Sequence, residues 1–266
     1  SNVCTIQGAT VTIVGGGTCV INANQIGDST YASATQVSQN LTVNKKAQTI
    51  TFDTIADLTF GASPFSLNPT SDSGLTVVLT TQSTGICSVS GLRVTVIGGG
   101  RCILLANQSG DASYSAAPQV TQSFLINPAT QTITFTLPTT KTFGDAPFTL
   151  TGTSTAGLPV TLTSSTMDIC TLSGSALTIL AAGICTITAS QSGSSNFLVA
   201  NSVSRNLVVA KSNQTITFPS ISNKKYGENP FTISSPASSS SNLTILYSSN
   251  TTDKCTIVGT TISIVE

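Results

Sequence analysis

Gln48-Thr49-Ile50-Thr51-Phe52 returns as Gln131-Thr132-Ile133-Thr134-Phe135 and again as Gln214-Thr215-Ile216-Thr217-Phe218, each step 83 residues long. Within each pentapeptide the apolar residues stand two apart, the period of a strand with one buried face. The surroundings repeat too. Phe60-Gly61-Ala62-Ser63-Pro64-Phe65 is matched by Phe143-Gly144-Asp145-Ala146-Pro147-Phe148 and by Tyr226-Gly227-Glu228-Asn229-Pro230-Phe231, and Ser73-Gly74-Leu75 by Ala156-Gly157-Leu158. Cys4, Cys87, Cys170 and Cys255 mark one position of the repeat, and Cys19, Cys102 and Cys185 a second. Residues 48–130 align with 131–213 without a gap. A repeat is read before a fold, because each copy is one structural module. The frame gives 1–47 as the C-terminal part of a repeat, 48–130 and 131–213 as complete repeats, and 214–266 as the N-terminal part of another. The simplest expectation is a window on a longer array. The alternative is that the half-repeats complement each other between chains, although residues 1–14 and 252–266 cover the same stretch of the repeat.

Working outward from Ile50 and Phe52, seven short alternating runs fill the first complete repeat. Residues 64–69 carry Phe65 and Leu67, 75–81 carry Leu75, Val77 and Leu79, and 86–90 carry Cys87 and Val89. Residues 92–97 carry Val94 and Val96, 101–107 carry Cys102, Leu104 and Ala106, and 119–126 carry Val120, Phe124 and Ile126. The breaks are Gly- and Ser-rich, as at Ser73-Gly74, Ser90-Gly91 and Gly98-Gly99-Gly100. Seven strands in 83 residues predict an all-β chain of tandem immunoglobulin-like β-sandwiches, each with one C-x14-C pair.

In seven-strand order the first cysteine opens the fourth strand and the second opens the sixth, which lie in opposite sheets. Disulfides Cys4–Cys19, Cys87–Cys102 and Cys170–Cys185 would staple the sheets, each contributing about 3 kcal/mol in the chain-entropy model. The rival is two buried thiols per repeat; a zinc site would need closer pairs and usually histidine. Cys255 is left unpaired because its expected partner lies beyond Glu266. Structural disulfides imply an oxidising compartment, extracellular or at the cell surface.

Composition excludes several classes. Only 8% of residues are charged, with Lys+Arg 10 and Asp+Glu 10, while 38 Ser and 45 Thr make up about 31% of the chain. Nucleic acid is not an expected partner, since phosphates call for clustered Lys and Arg. The absence of histidine removes the usual catalytic dyads and His-ligated metals. No apolar run approaches the length of a membrane-spanning helix. With 39% hydrophobic residues and no net charge, the chain is not disordered.

Other features invite a function and have a plainer reading. Gly15-Gly16-Gly17 and Gly98-Gly99-Gly100 resemble phosphate cradles, but each precedes a strand and lacks a following Lys-Ser/Thr, which makes them turns. Asp28 and Asp111 are equivalent, but the next copy has Ser194; Asp145 and Glu228 are equivalent, but an earlier copy has Ala62. Calcium needs clustered carboxylates, so neither set predicts a site. Lys45 and Lys211 share a linker position rather than the core position an isopeptide link would need. Tyr31, Tyr114 and Phe197 are equivalent, and a recurring aromatic in an aromatic-poor chain predicts core packing. Five Asn-x-Ser/Thr triplets, at Asn40, Asn107, Asn213, Asn242 and Asn250, are about what chance gives at this composition.

Taken in order, Gln48–Phe52, Phe60–Phe65, Ser73–Val77, Ile86-Cys87 with Ser90-Gly91, Gly99-Gly100 with Cys102, and Gln108-Ser109-Gly110 resemble the bacterial immunoglobulin-like (Big/MBG-type) tandem repeats of large surface proteins and adhesins. The resemblance covers essentially the whole chain. It implies an extracellular tandem array, with no catalytic residues and no cofactor. The functional expectation is a structural, non-enzymatic segment forming a semi-rigid stalk or fibre, because links 44–47, 127–130 and 210–213 are too short for free tumbling. Its partners would be neighbouring repeats of the same chain. Alternatives are a self-assembling filament or sheath built from copies of the chain, and a module binding a glycan or a host protein.

Overall fold

A computed structural model describes residues 2–266. The first part-repeat holds β1 (Cys4–Gln7), β2 (Thr10–Ile13), β3 (Gly17–Ala23) and β4 (Val37–Val43). The first complete repeat holds β5 (Ile50–Thr51), β6 (Leu58–Thr59), β7 (Phe65–Ser66), β8 (Thr70–Ser71), β9 (Val78–Thr81), β10 (Cys87–Ser90), β11 (Arg93–Val96), β12 (Gly100–Asn107) and β13 (Val120–Asn127). The second repeats this order as β14 (Ile133–Phe135), β15 (Thr140–Thr142), β16 (Phe148–Thr149), β17 (Gly152–Ser154), β18 (Thr161–Ser164), β19 (Cys170–Ser173), β20 (Ala176–Ile179), β21 (Gly183–Ser190) and β22 (Val203–Ala210). The last part-repeat holds β23 (Ile216–Thr217), β24 (Phe231–Thr232), β25 (Ser238–Ser239), β26 (Cys255–Val258) and β27 (Thr261–Ile264). Among the described residues there is no helix, and so none long and apolar enough to cross a membrane.

The pairing is that of an immunoglobulin-like sandwich. One sheet of the first complete repeat runs β6-β13-β12-β9; facing it are β10-β11-β7 and the short pair β5-β8. The long hairpin β12–β13 sets the register, from Gly100 opposite Ile126 to Ala106 opposite Val120. Alternation then turns Cys102, Leu104, Ala106, Phe124 and Ile126 into the core, where they meet Ile50, Phe52, Val77, Leu79, Cys87 and Val94. Phe65 meets Phe124 edge-on, with ring centroids 6.0 Å apart.

Three disulfides, Cys4–Cys19, Cys87–Cys102 and Cys170–Cys185, form at the C-x14-C positions, with Cα separations of 5.7, 5.8 and 5.8 Å. Cys87 lies on β10 and Cys102 on β12, so the bond ties one sheet to the other. The chain is thus all-β, with a tandem immunoglobulin-like sandwich every 83 residues.

Two expected strands are shorter than their runs, and two short strands that were not expected, β6 and β8, follow them. The run 48–53 pairs only through β5 with β8, after which the chain crosses to the other sheet and β6 lies parallel to the end of β13. The run 64–69 breaks at Asn68-Pro69: β7 pairs with β11, and β8 with β5. Proline has no N–H to carry the ladder through the break.

Two compact units form. One comprises the described residues through Phe135 with Gly152–Thr161 and Ala189–Val203; the other comprises Thr136–Thr151, Leu162–Thr188 and Ser204–Glu266. Their division runs through the second complete repeat.

Candidate functional site

The most elaborated polar feature is the loop that closes each long hairpin, residues 24–36 between β3 and β4, 108–119 between β12 and β13, and 191–202 between β21 and β22. Each carries Gln-x-Gly at or one residue after its start. The glutamine side-chain oxygen accepts from the glycine amide two residues on, at 2.8 Å for Gln25, 2.5 Å for Gln108 and 2.6 Å for Gln191. That tight turn holds Gly27, Gly110 and Gly193 at φ of +73°, +75° and +81°, where a side chain is disfavoured. Next, Asp111 Oδ1 accepts from the amides of Ser113 and Tyr114, both at 2.8 Å. Asp28 does the same for Thr30 and Tyr31 at 2.7 and 2.9 Å. In the third copy the Ser194 hydroxyl accepts from Asn196 at 3.2 Å. The Tyr114 and Ser113 amides hold the Asp111 carboxyl below the usual carboxylate range, and those of Thr30 and Tyr31 do so for Asp28. These acids brace the loop's own backbone. Asp145 and Glu228 likewise accept from Thr142 and Lys225 amides at 3.0 and 2.9 Å.

Toward its own sandwich the loop grips the first strand. Gln48, only 3% exposed, donates through Nε2 to Gln108 Oε1 and to the Ser115 carbonyl, the latter at 2.6 Å. Its Oε1 accepts from Ser71 and Ser73 hydroxyls at 2.8 and 2.5 Å. Gln131 repeats the arrangement, donating to Gln191 and to the Leu198 carbonyl at 2.5 and 2.7 Å, and accepting from Ser154 at 2.9 Å. A buried amide is tolerated because every polar atom is matched.

Away from its sandwich the same loop grips the preceding repeat. Lys46 of the first link bridges to Tyr114: its amide donates to Ser113 O at 2.8 Å, its carbonyl accepts from Ser115 N at 2.9 Å, and its Nζ stands 5.6 Å from the Tyr114 ring centre. Lys45 Nζ donates to Asp111 O at 2.6 Å, and Gly16 N to Ala112 O at 2.7 Å. At the second link Ala129 bridges to Phe197, exchanging bonds with Asn196 O and Leu198 N at 2.9 and 2.8 Å. Gly99 N donates to Asn196 Oδ1 at 2.8 Å, and Phe60 meets Phe197 edge-on at 5.4 Å. A Cβ on Gly99 would collide with the Ser195 carbonyl. Both sets of contacts lie within the first compact unit.

This corrects one expectation. Tyr31 is 73% exposed, and Tyr114 and Phe197 are half-buried; none joins the sandwich core. Tyr114 and Phe197 pack on the preceding repeat instead. The glycine triplets form turns, but Gly16 and Gly99 also donate to the neighbouring loop, a role that sequence reading missed. Lys45, a linker residue in sequence, is a junction contact. Cys255 is half-buried and bonds to no cysteine among the described residues. Among those residues no three His, Cys, Asp or Glu gather as a metal site.

No protein-family model matches the sequence, and no curated protein does. Similar solved structures include domains 4 and 5 of the S-layer protein SbsC, at 18% identity, 61% of this chain, 97% of that one and a TM-score of 0.26. Drosophila N-cadherin EC1-4 is similar at 12% identity over 76% of this chain and 61% of that one, TM-score 0.30. The C-terminal fragment of intimin, solved with the intimin-binding domain of its translocated receptor, is similar at 20% identity over 63% and 64%, TM-score 0.23. The chain spans less than two thirds of the N-cadherin and intimin fragments and 38% of SbsC domains 1-6.

Proposed function

We propose that this chain is a structural, non-catalytic segment of an extracellular repeat protein, in which sandwiches bounded at 47/48, 130/131 and 213/214 form a semi-rigid stalk or fibre of adhesin type. One observation carries the reading: each complete hairpin loop is bonded both to the first strand of its own sandwich and to the link that precedes it. A four-residue link bonded on both sides in this way loses its freedom, the condition for repeats in series to act as a stiff element. The disulfides support an oxidising location. Small-angle scattering of the oxidised chain tests it. One fixed arrangement of repeats is expected; a profile that only a broad ensemble fits overturns it.

A further inference from the structure

We propose that the link 44–47 is a masked cleavage site for a protease that cuts after lysine, covered by the 108–119 loop and open to hydrolysis only when that loop leaves the link. The proposal rests on the junction bonds and holds whether or not the array is stiff.

Lys45 and Lys46 stand side by side in this link, in a chain with only 10 Lys and Arg. Both are exposed, so a protease can meet their side chains. What it cannot take is the backbone. A protease binds its substrate as an added extended strand, through main-chain N–H and C=O groups around the bond it cuts. It then draws the scissile carbonyl oxygen into a set of N–H donors. The loop already holds those groups. The Lys46 amide, the leaving nitrogen for a cut after Lys45, donates to Ser113 O at 2.8 Å. The Lys46 carbonyl, the group attacked in a cut after Lys46, accepts from Ser115 N at 2.9 Å. Lys45 Nζ is held by Asp111 O at 2.6 Å. Two residues beyond Lys46, Gln48 is 3% exposed and donates to Gln108 and to the Ser115 carbonyl. The loop and a protease compete for the same atoms.

Position gives the site its consequence. No disulfide spans the link, since Cys4–Cys19 closes before it and Cys87–Cys102 lies after it. Water added across the Lys46–Ala47 peptide leaves a carboxylate on Lys46 and an ammonium on Ala47, and parts the chain between two repeats. Cuts elsewhere do less. Arg93 and Arg101 lie between Cys87 and Cys102, so a cut after either leaves the pieces joined by the disulfide. Both are also inside strands, as are Lys141 and Arg205, and a protease reaches them only if a sandwich opens. The second link, 127–130, has the same backbone bridge at Ala129 and no basic residue. Opening the first junction is therefore converted into release of the repeat before it, and opening the second is not.

The test is trypsin digestion of the oxidised full chain, with the Lys45–Lys46 and Lys46–Ala47 bonds followed by mass spectrometry. Wild type should be cut there at least about tenfold more slowly than a free peptide of residues 40–52, because cleavage tracks the population of the open junction. Gly16→Ala, whose Cβ would meet the Lys45 side chain, and Tyr114→Ala, which removes the ring beside Lys46 Nζ, should each speed the cut severalfold. Ala129→Lys sets a lysine at the place of Lys46 between the two complete repeats. Its bond to Thr130 should resist trypsin, and should yield once Gly99→Ala is added. Wild-type cleavage as fast as the peptide's overturns the proposal. So does a wild-type rate in both Gly16→Ala and Tyr114→Ala, or a cut after Lys in Ala129→Lys that Gly99→Ala leaves unchanged. Stiffness is read separately, by scattering of the uncut chain.

Discussion

Gly99 tolerates no side chain, because the Ser195 carbonyl lies where its Cβ would be. Gly99→Ala should therefore push the 191–202 loop off the first complete repeat, at a cost of about 1–3 kcal/mol, the usual range for overpacking. Amide exchange at Ala129 and Leu198, whose N–H groups make the junction bonds, should accelerate, while the Gln131–Gln191 bond, on the loop's other side, holds. At Asp111 the constraint is electrostatic. Its carboxylate accepts two backbone amides, which lowers its pKa in the fold, so the stabilisation is complete above the ordinary value near 3.9 and is lost as pH falls through the lowered one. The Ser113 and Tyr114 amides should lose protection below about pH 4. The 191–202 loop has Ser194 at that place, and Asn196 should keep its protection in the same titration. Equal loss at both loops would show that the carboxylate is not the brace.

At the scale of the element, the disulfide joins two sheets that otherwise meet through side-chain packing and a few side-chain hydrogen bonds, such as that from Gln122 to the Phe52 carbonyl. Cys87→Ser with Cys102→Ser should lower the stability of the first complete repeat by about 3 kcal/mol, read as a lower denaturant midpoint. Reductant should bring the wild type to the same point. Most of this element structure was legible in sequence, because a face buried in a sandwich imposes period two; Leu104, Ala106, Phe124 and Ile126 are buried where alternation places them. The short strands β6 and β8 were not legible. Whether Leu58 and Thr70 join a ladder depends on which sheet each reaches, and local pattern carries no such information. The junction was less legible still. Gln48 meets Gln108 across 60 residues and Gly99 meets Asn196 across 97. Tyr114 and Phe197 recur for that contact, yet recurrence alone does not separate a core ring from a junction ring.

For the whole molecule, the loops make each repeat's stability depend on its neighbour. In a linear array, stability is the sum of each repeat's own term and an interface term, and the interface term decides whether repeats unfold together. Phe197 supplies a separable part of that term. Its ring meets Phe60 across the junction, and such an edge-on pair contributes about 0.5–1.5 kcal/mol beyond area. Phe197→Ala removes the ring but leaves its backbone bridge to Ala129. Calorimetry of the oxidised chain should then show the two complete repeats melting over a wider span than in wild type. Phe60→Ala should widen it by a similar amount, and the double variant by little more, since both remove one contact. Additive effects, or traces that overlay the wild type, would mean that the rings meet without coupling the repeats, and any coupling would then have to come from the Lys46 and Ala129 bridges alone.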